Sequence, residues 1–309
     1  MSAHSARKIA LLILTAIIYS ITVLLNAGNG AEILKGLFHG TVGNVSDRFI
    51  TKMTPVNSTF AIWGLIFFWQ AIWIIYALSG ICRRTELGWM YIKPDLLPDS
   101  FYMVWILNNL IIIGWLFLWD REYLVAALVF LVGIAVTNYV TLFISHRALH
   151  SHSTWLQSFH KTDIWLIRIL VQNGIALYAT WTTIASLLNF VIVLIYCGNV
   201  SHDTACIAVL SILLFLIILW FYLENFLLDK YVRYTLTVYP VIITALTGIL
   251  YRNYSLTSKT QIYIYSAVLL ALVCTILVIR LVIVIWRHIK RPLYKAVRLP
   301  NSEAILENK

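Results

Sequence analysis

Charged side chains are scarce in this chain. Lys, Arg, Asp and Glu make up 12% of 309 residues, about half the share that a soluble domain carries, which excludes a water-facing globular surface as its main environment. Cysteine is scarce too. Four cysteines cannot build a disulfide framework, although Cys197 and Cys206 flank the short turn GNVSHD and could pair in an oxidising compartment. Six prolines leave room for long uninterrupted helices. No phosphate-cradling glycine loop precedes a helix, no carboxylate pair lies inside an apolar run, and no nucleophile has a base beside it, which speaks against an enzyme. Asp47, Asp120, Glu122, Glu224 and Asp229 fall near the ends of apolar runs and read as loop or cap residues. An ion-driven carrier, which commonly needs an acid inside the membrane, is disfavoured on the same ground.

What the chain has instead is apolar length. Hydrophobic residues make up 61% of it, and runs of about 18 or more, enough at about 1.5 Å per residue to cross a hydrocarbon core of roughly 30 Å, recur about eight times. They lie at Ile9–Asn26, Ser58–Gly80, Phe101–Trp119, Tyr123–Ile144, Trp165–Cys197, Ala205–Phe221, Val232–Tyr251 and Ile262–Leu281. Strands would alternate and stop after about 10 residues, so each run predicts a helix. The expected fold class is all-α: a polytopic membrane bundle of about eight helices, one transmembrane domain over 1–290 and a short basic tail over 291–309. The first run follows Arg7 and Lys8 but has a weak cleavage site after it, and it reads as a span. The fifth is overlong, which predicts that its first part, with Arg168 and Gln172, lies at the interface or tilts.

Sidedness follows from the basic residues, which give a formal net charge of +10. With the N-terminus in the cytoplasm, about fourteen Lys and Arg near span ends fall on that side and about six on the other, so both termini are expected to be cytoplasmic, in the plasma membrane or an internal one. Four Asn-x-Ser/Thr triplets, at Asn44, Asn57, Asn199 and Asn253, all fall in loops assigned to the opposite side. Asn44 and Asn199 are the candidate glycosylation sites. The tail segment WRHIKRPLYKAVR can lie against anionic lipid, and Arg280, late in the last run, is expected to snorkel to the interface. Membrane lipids are therefore expected partners. Nucleic acid is not, since no soluble element exists to read it, and a homodimer is compatible with the pattern. The longest connection, Ala27–Asn57, is long enough to fold over one mouth of the bundle, and Ser46 or Asp47 can cap a short helix within it.

Polar atoms inside the spans show which helix faces point inward. At about 100° per residue, Phe60, Trp63, Phe67 and Gln70 share one sector of the second run, opposite Trp69, Trp73 and Tyr76. The third run places Trp105, Asn108, Ile112, Trp115 and Trp119 on one face, and the fourth does so with Asn138, Thr141 and Ser145. In the fifth, Gly174, Tyr178, Trp181, Thr182, Ala185 and Asn189 lie within about 100°. Asn108, Asn138 and Asn189 can serve as interhelical glue, and Trp119, Trp165 and Trp286, near span ends, read as interface-belt residues. Trp63, Gln70, Trp115 and Trp181 combine flat rings with hydrogen-bond donors well below the interface, which suits a flat hydrophobic small molecule. In the stretch SHRALHSHSTWLQSFHK, His146 and His150 stand four apart, but too few further ligands accompany them to predict a metal site, and they read as solvated or headgroup-facing.

At these residues the chain resembles a known group. SDRFITKMTPVNSTFAIWGLIFFWQ, LNNLIIIGWLFLWD and LYATWTTIASLLN are similar, in order and spacing, to the signature segments of the larger tryptophan-rich sensory proteins related to the TspO/MBR (translocator, peripheral benzodiazepine receptor-like) family. The resemblance covers about residues 41–197 and implies a five-helix part, with further helices at 205–287. It implies a receptor or sensor for tetrapyrroles, sterols or similar flat molecules, with transport as the alternative, a structural membrane partner without ligand as another, and enzymatic tetrapyrrole breakdown as a minority one. No cofactor is implied beyond a tetrapyrrole as ligand. Residues matched to the family pattern are Ser46, Asp47, Thr54, Pro55, Phe60, Trp63, Gly64, Gln70, Asn109, Trp115, Tyr178, Trp181, Ala185 and Asn189. Asn108 and Asn109 both remain candidates for one family position. Thr180 stands where the family has glycine, and the family's proline at the start of that segment is absent.

Overall fold

The computed structural model describes residues 3–254 and 261–293, so all but the first three residues of the basic tail lie outside the described part. Among the described residues the chain is a helical bundle whose one sheet is a two-stranded hairpin, β1 (Arg84–Thr85) with β2 (Gly88–Trp89). The helices are α1 (Ala6–Gly30), the short α2 (Val42–Arg48), α3 (Ile62–Ser79), α4 (Asp99–Asp120), α5 (Leu124–Phe159), α6 (Lys161–Leu166), α7 (Gly174–Tyr196), α8 (His202–Tyr222), the one-turn α9 (Asp229–Val232), α10 (Val238–Asn253) and α11 (Gln261–Lys290). A 3-10 turn, Asn57–Ala61, leads into α3. π-helical segments at Ile167–Asn173 and Leu223–Leu227 join α6 to α7 and extend α8. Seven of these helical stretches are long and apolar enough to cross a membrane; α10, at the seventh expected span, is shorter at 16 residues. The chain is an integral, multi-pass membrane protein.

Several boundaries depart from the sequence reading for identifiable reasons. No glycine or proline stands between Ile144 and Phe159, so α5 runs on for 36 residues, about 54 Å at about 1.5 Å each, and the histidine-rich stretch is helix rather than loop. His146 is buried against the Thr235 hydroxyl, and the His150 ring meets Tyr231 edge-on at 4.9 Å. No group of metal ligands forms among the described residues. The seventh run starts at Val238 rather than Val232, with Pro240 in the first turn where its missing N–H costs nothing. The preceding connector is held by Asn173, which accepts from the Leu236 N–H at 2.8 Å and donates to the Tyr234 carbonyl at 2.7 Å. Arg168 and Gln172 are held inside the bundle. Both are buried, Arg168 over the rings of Trp165 and Tyr234 and Gln172 donating to Ser145 at 3.4 Å. Thr41 caps α2, and Ser46 and Asp47 fall in its last turns.

The N-terminal segment and the end of α11 lie at the same end of the bundle. His4 stacks on Trp89 at 4.1 Å, Arg7 pairs with Asp99 and Lys8 with Asp95, so the hairpin connection between α3 and α4 grips the start of α1. At that same end Asp163, at the start of α6, is buried; it takes both oxygens' bonds from Arg83 at 2.6 and 2.7 Å and the Tyr76 hydroxyl at 2.8 Å.

The last three long helices are joined by buried charge. Arg280 and Glu224 are both fully buried, with Arg280 Nε 3.2 Å from Glu224 Oε2 but off the hydrogen-bond direction. Arg280 donates instead to Asn225 Oδ1 at 2.9 Å and to the Val232 and Arg233 carbonyls at 3.3 and 3.2 Å, while the Tyr239 hydroxyl donates to Glu224. Arg280 therefore does not snorkel, and Glu224 is not a loop residue: each is the other's counter-charge, and ionised groups inside a bundle need one. Just outside the spans, Asp229 accepts from Arg287 at 2.6 Å and from Arg233. Partial burial alone would raise the Asp229 carboxyl; the two guanidinium hydrogen bonds outweigh it and hold it below its ordinary value.

Candidate functional site

At the end of the bundle away from the N-terminal segment, residues 31–56 fold over the mouth between α3, α4, α5 and α7. Beneath them lies a cleft lined by Phe60, Trp63, Trp115, Trp119, Trp181 and Asn189, with Ser46, Thr51, Thr54 and Pro55 as part of its roof. The cleft exists because rings from three helices meet without filling the space between them. Trp63 of α3 stacks on Trp115 of α4, centroids 6.1 Å apart and planes at 24°, and meets Trp181 of α7 edge-on at 6.3 Å and 88°. Phe60, carried by the 3-10 turn, meets the same Trp181 at 6.4 Å, and Trp119 continues the stack beyond Trp115 at 6.2 Å. Each such pair contributes about 0.5–1.5 kcal/mol beyond burial. The free volume is about 60 Å³, well below the roughly 300–1,000 Å³ of pockets that hold drug-sized ligands.

Several polar atoms of this wall have no partner in the protein. Trp115 Nε1, Trp181 Nε1, and both Oδ1 and Nδ2 of Asn189 are buried and unbonded. Buried polar atoms are bonded in the large majority of cases, and leaving one bare costs about 1–3 kcal/mol. These four atoms, two indole donors and the donor and acceptor of one amide, belong to three residues that line the one cleft.

The other residues singled out from sequence are distributed elsewhere. Phe67 stacks behind Trp63 at 5.9 Å, and Tyr178 meets Trp63 edge-on at 6.1 Å from below. Gln70 does not reach the cleft. Its Nε2 donates to the Gly174 carbonyl at 3.0 Å, where the π-helical segment gives way to α7, and its Oε1 accepts from Trp73 Nε1 at 2.7 Å. Gly174 permits this approach, since a Cβ there would lie 2.7 Å from the Trp69 ring. Trp73 is fully buried against Trp105 at 5.1 Å and does not face lipid; the exposed stripe of α3 is Leu65, Phe68 and Ile75. Asn108 donates to the Ile134 carbonyl at 3.0 Å and Thr137 at 2.7 Å on α5, and Asn109 bonds back to Trp105 of its own helix at 2.9 Å. Asn138 is buried with neither amide atom bonded, away from the cleft lining. Asn44 and Asn199 are exposed at the lidded end. Cys197 and Cys206 are free thiols; Cys197 is exposed past the end of α7 and Cys206 is buried in the first turns of α8, so the disulfide considered from sequence is not formed.

Sequence reasoning missed two residues of the site. Trp119 was assigned to an interface belt, yet it is buried and its Nε1 donates to the Val42 carbonyl of the roof at 3.2 Å. Asp120, read as a cap, is buried and accepts from the His39 and Gly40 backbone N–H groups at 2.8 and 3.0 Å. The signal for Trp119 was the spacing of the α4 face, which continues through it without a break, whereas Asp120 lies about 100° off that face and had none.

A family model described as TSPO-like protein matches residues 8–284, from the first turn of α1 into the last turns of α11. No match was found among curated proteins or among solved structures.

Proposed function

The chain belongs to the TSPO-like protein family, and from that premise we propose that it binds or senses a flat hydrophobic small molecule, of the tetrapyrrole or sterol class, in the tryptophan-lined cleft under residues 31–56. The observation that carries the reading is the set of unpartnered polar atoms on Trp115, Trp181 and Asn189 around one aromatic cleft. Rings supply a flat apolar contact surface, and the bare indole N–H groups match a ligand with carbonyl, carboxylate or hydroxyl oxygens at its edge. Occupation satisfies atoms whose desolvation folding has already incurred, and this favours the bound state. Both termini are assigned to the cytoplasmic side by the excess of basic residues there, which puts the lidded mouth on the opposite face of the membrane.

Titration of the purified protein with protoporphyrin, and separately with cholesterol, read by tryptophan emission, tests this. Saturable quenching or shift by one of them is expected, and Trp181→Phe, which keeps a ring but deletes the N–H, is expected to weaken binding by about tenfold. Absence of any saturable response from the wild type to either probe overturns the reading.

A further inference from the structure

The roof over the cleft is fastened in two different ways on its two sides. Toward α1 and α4 the fastening is buried. Asp120 takes two backbone N–H bonds and the His39 ring at 2.9 Å, and Asn29 both donates to the Gly40 carbonyl at 2.8 Å and accepts from the Val42 N–H at 3.1 Å. Toward α8 and α10 the fastening combines one backbone bond, from the Val56 N–H to the Gly248 carbonyl at 3.1 Å, with partly exposed, mostly ionic side-chain contacts. Lys52 pairs with Asp203 at 2.6 Å, Arg252 reaches Asp47 at 3.4 Å and the Pro55 carbonyl at 3.2 Å, and Asn253 donates to the Lys52 carbonyl at 3.1 Å. Buried charge-assisted bonds hold strongly, whereas exposed pairs hold weakly and lose more to salt. None of α8, α9, α10 or α11 lines the cleft, and a volume of about 60 Å³ admits no ring ligand unless the roof moves.

We propose that α8 and α10 act as a releasable latch on residues 47–56, so that this segment swings on its buried attachment to α1 and α4 and regulates access to the cleft. Lys52, Asp203 and Arg252 are positioning residues: they touch no ligand and act through the roof. The inference rests on the cleft being a ligand site, but the latch itself can be tested without any ligand. Cys206, fully buried on α8, lies against the backbone of Lys52 and Met53, so it is covered when the latch is closed and uncovered when it opens.

The experiment measures the rate at which a polar maleimide modifies Cys206 in the full chain, resolved by mass spectrometry from Cys82, Cys197 and Cys274. The Lys52→Ala, Arg252→Ala double variant is expected to label on the order of tenfold faster than wild type, and rising salt should accelerate wild type but not the variant. A charge swap, Lys52→Asp with Asp203→Lys, keeps a pair in place and should label as slowly as wild type, which a misfolded protein would not. In a parallel arm, both association and dissociation of protoporphyrin should quicken in the double variant with a smaller change in their ratio. Unchanged Cys206 labelling in the double variant, or fast labelling in the charge swap, overturns the latch. Wild-type protein that takes up no protoporphyrin counts against the ligand class instead, and leaves the labelling result to judge the latch alone.

Discussion

The cleft and the Arg280–Glu224 cluster sit at opposite ends of the bundle and handle buried polarity in opposite ways. Around Arg280 the charges are matched with one another: the guanidinium reaches three acceptors, Glu224 receives the Tyr239 hydroxyl, and neither residue has any exposure. Around Trp181 the polar atoms are left bare, beside free space. A buried ion pair closed on itself fixes geometry, and a set of unmet donors around a cleft is a standing preference for something else. The first region holds α8, α10 and α11 together; the second is where the chain gives up stability.

The largest expected effect probes the closed region. Arg280→Met leaves Glu224 buried without its counter-charge and should lower stability by about 3–5 kcal/mol, measured by denaturant or thermal unfolding in micelles, while Arg280→Met combined with Glu224→Gln should regain most of that loss. If the double variant is no better than the single, the pair is not the closed unit described. Next in size, Gly248→Ala places a Cβ 2.1 Å from Thr59 Oγ1 and should cost about 1–3 kcal/mol by pushing α10 off the turn that begins α3. For the open region the sign reverses. Asn189→Leu removes two unbonded atoms and should leave unliganded stability unchanged or raised by up to about 1 kcal/mol, while weakening binding of a quenching porphyrin. A clear loss of stability would mean that Asn189 is glue after all. The smallest effect concerns pH. Asp229 is held below its ordinary value by Arg233 and Arg287; its stabilising contribution is present above about pH 4 and fades as pH falls through and below that range. Asp229→Asn should flatten that acid limb of a thermal-midpoint profile and leave the neutral limb lower.

Much of the fold was legible because membrane helices announce themselves by apolar length: of the eight runs, seven correspond to helices long enough to span a membrane and one to the shorter α10. What was not legible is how faces pair. The α4 face through Trp105, Asn108, Trp115 and Trp119 was read correctly as one side of a helix, yet it serves two neighbours: Trp115 and Trp119 turn toward the roof, whereas Asn108 bonds to α5. In α3 both ring stripes are used, so a single interior face did not suffice, and the polar Gln70 marks a helix crossing rather than the cleft. The Arg280–Glu224 pair was invisible because its partners lie 56 positions apart in the chain, and each one alone, near the end of an apolar run, has the pattern of an interfacial charge. Of the residues matched to the family pattern, Ser46, Thr54, Pro55, Phe60, Trp63, Trp115, Trp181, Ala185 and Asn189 line the one cleft, which three-dimensional proximity alone could reveal.

The π-helical stretch Ile167–Asn173 changes the phase of its helix. One surplus residue in a turn rotates everything after it by about 100° relative to everything before. The first half of this continuous rod can therefore address the connector through Asn173 and the Tyr234 ring through Arg168, while the second half, out of step with the first, offers Trp181 and Asn189 to a different neighbourhood. Deleting a single position inside that stretch would bring the two halves back into step and turn the tryptophan away from its partners, although every side chain that defines the cleft would still be there.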